Sequence, residues 1–251
     1  MKAWLNYFEH NRRNRRAIPW DRPLEIPPHV REPLIRSLQR FQVGESGEGT
    51  HLRKQAAKTG DPIYRAAVDL FIKEEQEHAR LLGLVLRKLN APLLDHHWSD
   101  DCFILLRRLF GLHHELLVLL MPEIIATRYF RALHDGLSDP TLREVCSQIL
   151  YDEEGHLGFH VDYLQRAFTS RSLLARILFR AGWRVLFRAV CLVVILDHRA
   201  ILSATGISSA IFWWDSGLIF DGIAAGIFSS APTPAIARRE FALNPQPAPA
   251  R

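Results

Sequence analysis

When the sequence is compared with itself at a shift of 78 residues, the middle of the chain matches at acidic, histidine and proline positions. The matching residues are Glu45 with Glu123, Asp61-Pro62 with Asp139-Pro140, Arg65 with Arg143, Glu74-Glu75 with Asp152-Glu153, and His78 with His156. In both halves the proline follows the first glutamate by 17 residues and precedes the second by 13. Equal spacing around a helix-breaking turn predicts two similar helical hairpins, each with a glutamate on its first helix and Glu-x-x-His on its second.

The apolar pattern of the chain favours four helices in this region. Residues recur at three- and four-residue steps from Leu34 to Ala56, which predicts the first helix. A second helix runs from Pro62 to about Leu89. Residues 91–111 form a connection with some helical character, and the third and fourth helices cover about 112–135 and 141–168. The sequence therefore predicts an all-α protein in which residues 34–168 form a four-helix bundle.

The segments outside this region differ from it in composition. Residues 1–33 are basic and contain five prolines, so we expect an irregular N-terminal arm. Residues 169–231 are apolar and predict a C-terminal helical extension of the bundle. Residues 232–251 are rich in proline and alanine, a composition typical of disorder. With 48% apolar and 24% charged residues among 251, the chain can bury one sizeable core.

Symmetry about the turns brings the acidic residues of each predicted hairpin to one level. In antiparallel helices, residues equally distant from the turn lie side by side, which pairs Glu45 with Glu75 and Glu123 with Glu153. Within each Glu-x-x-His the two side chains share a helix face. Four carboxylates and two imidazoles would then meet in the core. Such carboxylates cannot stay ionised there without compensating charge, and two divalent cations would supply it.

With this pattern the chain resembles the ferritin-like di-iron carboxylate superfamily over residues 34–168. The superfamily includes ferritins, rubrerythrins, ribonucleotide reductase small subunits and carboxylate-bridged oxygenases. The resemblance implies a ferritin-like four-helix bundle, two bound iron ions with manganese as the alternative, and chemistry with dioxygen or peroxide. It also implies that six residues ligate the metals and carry the catalysis: Glu45, Glu75, His78, Glu123, Glu153 and His156.

Two nearby residues compete with this set of ligands. Glu48 lies on the same stripe as Glu45, but the repeat favours Glu45 because Glu48 falls on an alanine. His160 shares a helix face with His156 but falls on a leucine. We therefore expect His160 to be a packed or hydrogen-bonded histidine rather than a ligand.

Other polar residues near the motifs have secondary roles in this interpretation. Asp69 and Asp152 are candidates to orient the ligating histidines. Glu115 lies about two helical turns before Glu123, and we expect it at the surface. The segment Asp197-His198-Arg199 follows the most apolar run of the chain. It is interpreted as a structural cluster, with a position facing the site as the alternative.

These features favour an enzyme. We expect an oxidoreductase that uses a di-iron (or Mn/Fe) centre to activate dioxygen and oxidise a small organic substrate, with electrons from an external donor. The alternatives are a ferroxidase or iron-handling ferritin-like binding protein, and a membrane-associated di-iron oxidase. The net charge is +5, but the chain has no nucleic-acid-binding motif, so nucleic acid is not an expected partner. The sequence does not decide between a monomer and a homodimer.

The cysteine spacing and the hydropathy of the chain predict where in the cell the protein is located. None of the three cysteines has C-x-x-C spacing, and the N-terminus lacks the apolar stretch of a secretory signal, which favours the cytoplasm. Residues 207–229 are long enough to span a bilayer, but Asp215 and Asp221 would each cost about 2.5–3.5 kcal/mol near its centre. The arginine-rich stretch 171–188 suits a membrane surface, so peripheral attachment is the alternative location.

Overall fold

The computed structural model describes residues 1–229, the side chain of residue 100 excepted, and this part of the chain is all-α. Its helices are α1 (Lys2–Arg13), α2 (Pro28–Glu45), α3 (Thr50–Ala57), α4 (Pro62–Lys88), α5 (Trp98–Arg107), α6 (Leu112–Gly136), α7 (Pro140–Thr169), α8 (Leu173–Ala204) and α9 (Ser209–Phe228). The all-α prediction is confirmed for these residues. The disorder predicted for 232–251, and the last two residues of the predicted extension, lie outside them.

Both repeated Asp-Pro pairs begin a long helix, as the repeat predicts. Asp61 caps α4, where its carboxylate accepts hydrogen bonds from the backbone N–H groups of Ile63 and Tyr64 at 2.9 and 3.1 Å. Asp139 caps α7 in the same way, accepting from the N–H of Leu142 at 2.8 Å. The proline after each aspartate occupies the first helical position, where its missing N–H is not needed.

The predicted first helix is broken in the structure. α2 ends at Glu45, and α3 begins only at Thr50. Gly49 ends the break with a φ of 65°, and a Cβ atom there would lie 2.5 Å from the side chain of Ile72 on α4. The prediction of one continuous helix is wrong here because the chain must make a turn that only glycine fits. Glu45 is therefore the last residue of a helix rather than an interior one.

The N-terminal region is more ordered than predicted. Residues 1–33 were expected to be irregular, but α1 occupies Lys2–Arg13 and packs on α4, and α2 already begins at Pro28. Phe8 is fully buried, with its ring 5.3 Å from that of Phe159. A four-residue step back from Phe8 reaches Trp4, and a three-residue step forward reaches the buried Asn11. This helical spacing was present in the sequence but was outweighed by the basic residues and prolines.

Helix packing places the two Glu-x-x-His helices together. α2 packs on α4, α6 packs on α7, and α4 contacts α7. The extension predicted for residues 169–231 is filled by α8 and α9, which pack on each other and on the outside of these helices. On α8, Trp183 donates a hydrogen bond to the carbonyl of Leu117 on α6 at 2.7 Å. α6 itself runs unbroken through Pro122.

The two helix caps differ in burial, which gives a first prediction. Asp139 is 2% exposed and also accepts a hydrogen bond from the N–H of Glu25 at 2.8 Å, whereas the hydrogen bonds of Asp61 lie near the surface. We expect Asp61→Ala to lower the free energy of unfolding by about 1 kcal/mol and Asp139→Ala by about 2 kcal/mol or more. Urea denaturation followed by circular dichroism measures both. Equal losses would contradict the larger role given to Asp139.

Candidate metal centre

Glu153 of α7 belongs to two groups of metal-binding atoms. Glu45, His78 and Glu153 form one group, and Glu75, Glu153 and His156 form the other; in each, the donor atoms lie within 4.8 Å of one another. His156 Nδ1 is 2.9 Å from Glu75 Oε1 and 3.8 Å from Glu153 Oε2. His78 Nδ1 is 3.8 Å from an oxygen of each of these two glutamates. The structure therefore brings together five of the six predicted ligands.

Four donor atoms of this cluster are buried and have no well-directed hydrogen-bond partner. This holds for Glu75 Oε1, His78 Nδ1, Glu153 Oε2 and His156 Nδ1. The 2.9 Å approach of His156 Nδ1 to Glu75 Oε1 is close but is not directed as a hydrogen bond. Each unpaired buried polar atom costs roughly 1–3 kcal/mol. A cation among four such atoms would relieve this cost, so the residues present fit a metal site.

Each histidine of the cluster is held by a carboxylate from the other hairpin. His78 Nε2 lies 3.0 Å from Asp152 Oδ2, and His156 Nε2 lies 3.1 Å from Glu74 Oε2. Glu74 and Asp152 are equivalent residues of the repeat, so the exchange is symmetric. A carboxylate at Nε2 keeps the proton on that nitrogen and leaves Nδ1 free to ligate. The structure confirms the position predicted for Asp152; Glu74 was missed, although the repeat aligns the two.

The N-terminal segment completes this layer of hydrogen bonds. Asn11 Nδ2 donates to Glu74 Oε1 and to Asp152 Oδ1, at 2.7 Å in both cases. Arg15 donates to both oxygens of Asp152, at 2.8 and 2.7 Å. Burial would raise the pKa of Asp152, but His78 and Arg15 lower it below the ordinary value. Sequence reasoning missed Asn11 and Arg15 because they lie in the segment that it treated as an irregular arm.

The pKa values within the cluster are strongly divided. Burial and the carboxylates of Glu75 and Glu153 raise the pKa of Glu45 well above its ordinary value. Burial also raises the pKa of Glu153, to about 7, against the opposing effect of His156. For Glu75 the imidazoles of His156 and His78 overcome the effect of burial and lower its pKa to about 2. Without a cation the cluster therefore retains protons, which a bound metal would displace.

The sixth predicted ligand, Glu123, lies next to His160 instead of in either group. His160 Nε2 is 3.5 Å from Glu123 Oε1. Both oxygens of Glu123 and both ring nitrogens of His160 are buried without a hydrogen-bond partner. His160 is packed, as one of the two expected alternatives has it: its ring centroid lies 4.7 Å from that of Phe71, and it makes no hydrogen bond. The repeat did not predict the pair of Glu123 and His160, because Leu82 stands at the position equivalent to His160.

The other competing residues lie elsewhere. Glu48 is exposed in the break between α2 and α3, whereas Glu45 belongs to the cluster, as the repeat favours. Asp69 forms a surface ion pair with Arg53 and does not contact a histidine of the cluster. Glu115 was expected at the surface but is fully buried, with both oxygens 2.9 Å from His51 Nδ1. Its burial follows from the packing of α3 on α6, which a predicted continuous first helix did not foresee.

A cavity of about 210 Å³ adjoins the cluster. The four predicted glutamate ligands reach its wall: Glu45, Glu75, Glu123 and Glu153. Much of the remaining wall is apolar, from α2, α4 and α8, and includes Phe41, Phe71 and Val194. His198 also lines it, as the alternative interpretation has it, while Asp197 forms an ion pair with Arg40, as the structural interpretation has it.

Comparison with known proteins adds no assignment. No protein-family model, curated protein or solved structure matches the chain.

Arg15 offers a test of the outer layer of hydrogen bonds. Arg15→Gln removes both charged donors from Asp152, so we expect the affinity for the first divalent ion to fall by about 10–100-fold. Competition between the protein and a coloured chelator for Co(II) measures this affinity. The matched control is Arg16→Gln, because Arg16 forms only an exposed ion pair with Glu144 through its side chain. Equal affinities in the two variants would contradict the role given to Arg15.

The pKa of Glu153 gives a pH-dependent prediction for protein treated with a chelator. Because its pKa is raised from 4.5 to about 7, the folded state binds the extra proton and loses stability as the pH rises between these values. Relative to Glu153→Gln, the wild type should lose on the order of 3 kcal/mol of unfolding free energy from pH 4.5 to 7.5. Urea denaturation at several pH values measures the difference. The lowered pKa of His198 acts in the opposite direction, but equally in both proteins.

Proposed function

We propose that the protein is a non-haem di-metal carboxylate enzyme that uses two iron ions to activate dioxygen and oxidise a small organic substrate. In this proposal residues 34–168 form a ferritin-like bundle, and manganese can replace one iron. Bound iron would supply the electrons that reduce dioxygen. The observation that carries the proposal is the set of buried, unpaired carboxylate and imidazole atoms around Glu153. Carboxylate and imidazole ligands suit iron and manganese.

The ligand set of the proposal has two parts. The first part consists of Glu45, Glu75, His78, Glu153 and His156, and these residues would hold the ions in two groups that both include Glu153. The second part is Glu123 with His160, whose unpaired atoms extend the site along α6 and α7. We place His160 as an additional ligand on this basis. The carboxylates of Glu74 and Asp152 fix the orientation of the two symmetric histidines.

The cavity beside the cluster is the proposed substrate site. Its volume of about 210 Å³ fits a small molecule rather than a drug-sized one. Its apolar wall would exclude water from the reacting groups, a condition that an oxidising centre requires. Arg40 and Arg107 line the same cavity, where each lies at ion-pair distance from a carboxylate, Asp197 and Glu115 respectively.

A hydrogen-bonded chain leads away from this cavity. His198 Nδ1 lies 2.6 Å from Ser37 Oγ, which in turn lies 2.5 Å from the hydroxyl of Tyr129. Burial and the charge of Arg40 lower the pKa of His198 to about 3, so its imidazole is neutral near pH 7 and only weakly basic. We assign this chain the task of fixing the orientation of the neutral His198 imidazole at the substrate side of the site.

The electron donor and the location belong to the same proposal. In this proposal an external electron donor reduces the iron. Cys102, Cys146 and Cys191 are free thiols, which fits the reducing cytoplasm.

Metal loading tests the proposal. After anaerobic addition of Fe(II) and desalting, the wild type should retain about two irons per chain, and exposure to air should consume dioxygen. Glu75→Ala and Glu153→Ala should retain fewer than one, because each removes a ligand and leaves other charges unpaired. His160→Ala should weaken the binding of one ion. Iron analysis and an oxygen electrode give both readouts.

A matched control tests whether a loss of iron is specific to the cluster. Glu48→Ala removes an exposed carboxylate three residues from Glu45 and should leave the iron content unchanged. Wild-type protein without stoichiometric metal would refute the metal site. Many irons per chain would favour iron handling over oxidation of an organic substrate.

A further inference from the structure

The outer face of α8 is apolar along most of its length. The residues of this face, here called the outer strip, are 66%, 63%, 72%, 48% and 61% exposed in the order Leu174, Leu178, Val185, Leu192 and Leu196. Their spacings of four and seven residues place them in one line along the helix. At 1.5 Å per residue the strip is about 33 Å long. Exposed apolar surface of this extent marks an interaction site, since single exposed leucines would need no explanation.

Neighbouring helices extend this surface. On α9, Ile211, Trp214 and Leu218 are 48%, 65% and 70% exposed and follow one another at helical spacing. α9 lies beside α8, where Phe220 stacks on Phe187 with ring centroids 4.5 Å apart. Two adjacent helices therefore both present apolar residues to solvent.

The charge around the outer strip is positive. Residues 171–229 contain six arginines, three aspartates and no lysine or glutamate. Four of the arginines, Arg176, Arg180, Arg184 and Arg188, follow at four-residue intervals and form a row along α8. Each aspartate is paired with an arginine: Asp197 with Arg40, Asp215 with Arg128, and Asp221 with Arg184. Apolar residues flanked by arginines match a surface that is both apolar and anionic.

α9 packs along the protein surface, and this packing determines whether it could span a membrane or only contact one leaflet. By length and composition it could cross a membrane, but 44% of its most apolar stretch is buried in the fold. Phe212, Ser216 and Phe220 are 0–1% exposed and pack inward. The ion pairs of Asp215 and Asp221 also tie the helix to α6 and α8. This arrangement favours contact with one leaflet over spanning.

A second cavity opens on this side of the molecule. Its volume is about 820 Å³, and its wall is mostly apolar. Phe110, Leu178 and Phe179 line the cavity and are also 66%, 63% and 49% exposed, so they form its mouth. Lys58 and Arg171 add positive charge to the wall. Leu178 belongs to both the mouth and the outer strip, so a chain leaving a bilayer there would meet an apolar cavity directly.

We propose that the outer strip and the exposed residues of α9 dock the protein on one leaflet of an anionic lipid bilayer. The occupant is a membrane and not a second copy, because residues 171–229 carry six arginines against three aspartates, so two such faces packed together would repel each other. The docking is independent of the metal centre. It places the mouth of the large cavity at the lipid surface, where an acyl chain can enter.

Sedimentation with vesicles tests this docking with the full-length protein. At 0.1 M salt, wild type should pellet with vesicles of phosphatidylcholine and phosphatidylglycerol at 7:3, and at least about tenfold less strongly with phosphatidylcholine alone. The variant L174Q/V185Q/L192Q should lose binding to both. Arg180→Glu with Arg199→Glu should abolish the preference for the anionic vesicles. The control is Ile63→Gln, an exposed apolar residue on α4. Circular dichroism and iron content check the fold of each variant.

Three results would overturn the proposal. In the first, the wild type stays in the supernatant with both kinds of vesicle. In the second, L174Q/V185Q/L192Q pellets as the wild type does. In the third, analytical ultracentrifugation shows a wild-type dimer that the same triple variant dissociates, in which case a second copy covers the outer strip. If the wild type binds vesicles but retains no iron, the proposed function is refuted and the docking proposal stands.

Discussion

The exchange of hydrogen bonds between α4 and α7 is the interaction on which the site depends. Glu74 of α4 holds His156 of α7, and Asp152 of α7 holds His78 of α4. Each helix thus fixes the imidazole of the other, and both Nδ1 atoms remain in the shared interior. Buried carboxylates are tolerated there because histidines, Asn11 and Arg15 supply donors to them. The inner carboxylates have no such donors, and their unpaired atoms define the candidate metal centre.

The site is symmetric in its core and asymmetric at its edges. The repeat accounts for Glu75 with His78 and for Glu153 with His156, which the structure brings within a few ångströms of one another. The first glutamates of the two halves are not equivalent. Glu45 ends a helix beside a glycine-containing turn, whereas Glu123 lies inside α6 next to His160. This asymmetry would give the two proposed ions different surroundings. Glu45 and Glu123 both line the small cavity.

Sequence spacing predicted those features that depend on local rules. The caps at Asp61 and Asp139, the long helices α4, α6 and α7, and the choice of Glu45 over Glu48 all follow from helix periodicity and the repeat. What the sequence did not reveal depends on contacts between distant segments. Asn11 meets Asp152 across 141 residues, and Glu115 is buried where α3 and α5 both pack on α6. The unsatisfied nitrogens of His160 and their closeness to Glu123 could not be predicted, because the repeat has a leucine at the equivalent position and periodicity does not report hydrogen bonds.

The position of α1 has a consequence for how the molecule is assembled. α1 precedes its partners in the chain, yet Asn11 contacts Asp152 on α7 and Phe8 packs against Phe159 on the same helix. During synthesis this first helix therefore has no complete docking surface until α7 has left the ribosome. Its contacts with α7 can therefore form only after α7 has been synthesised, and until then Glu74 lacks its partner His156. A bulky fusion placed before Met1 would act on this closing step rather than on the ligands themselves.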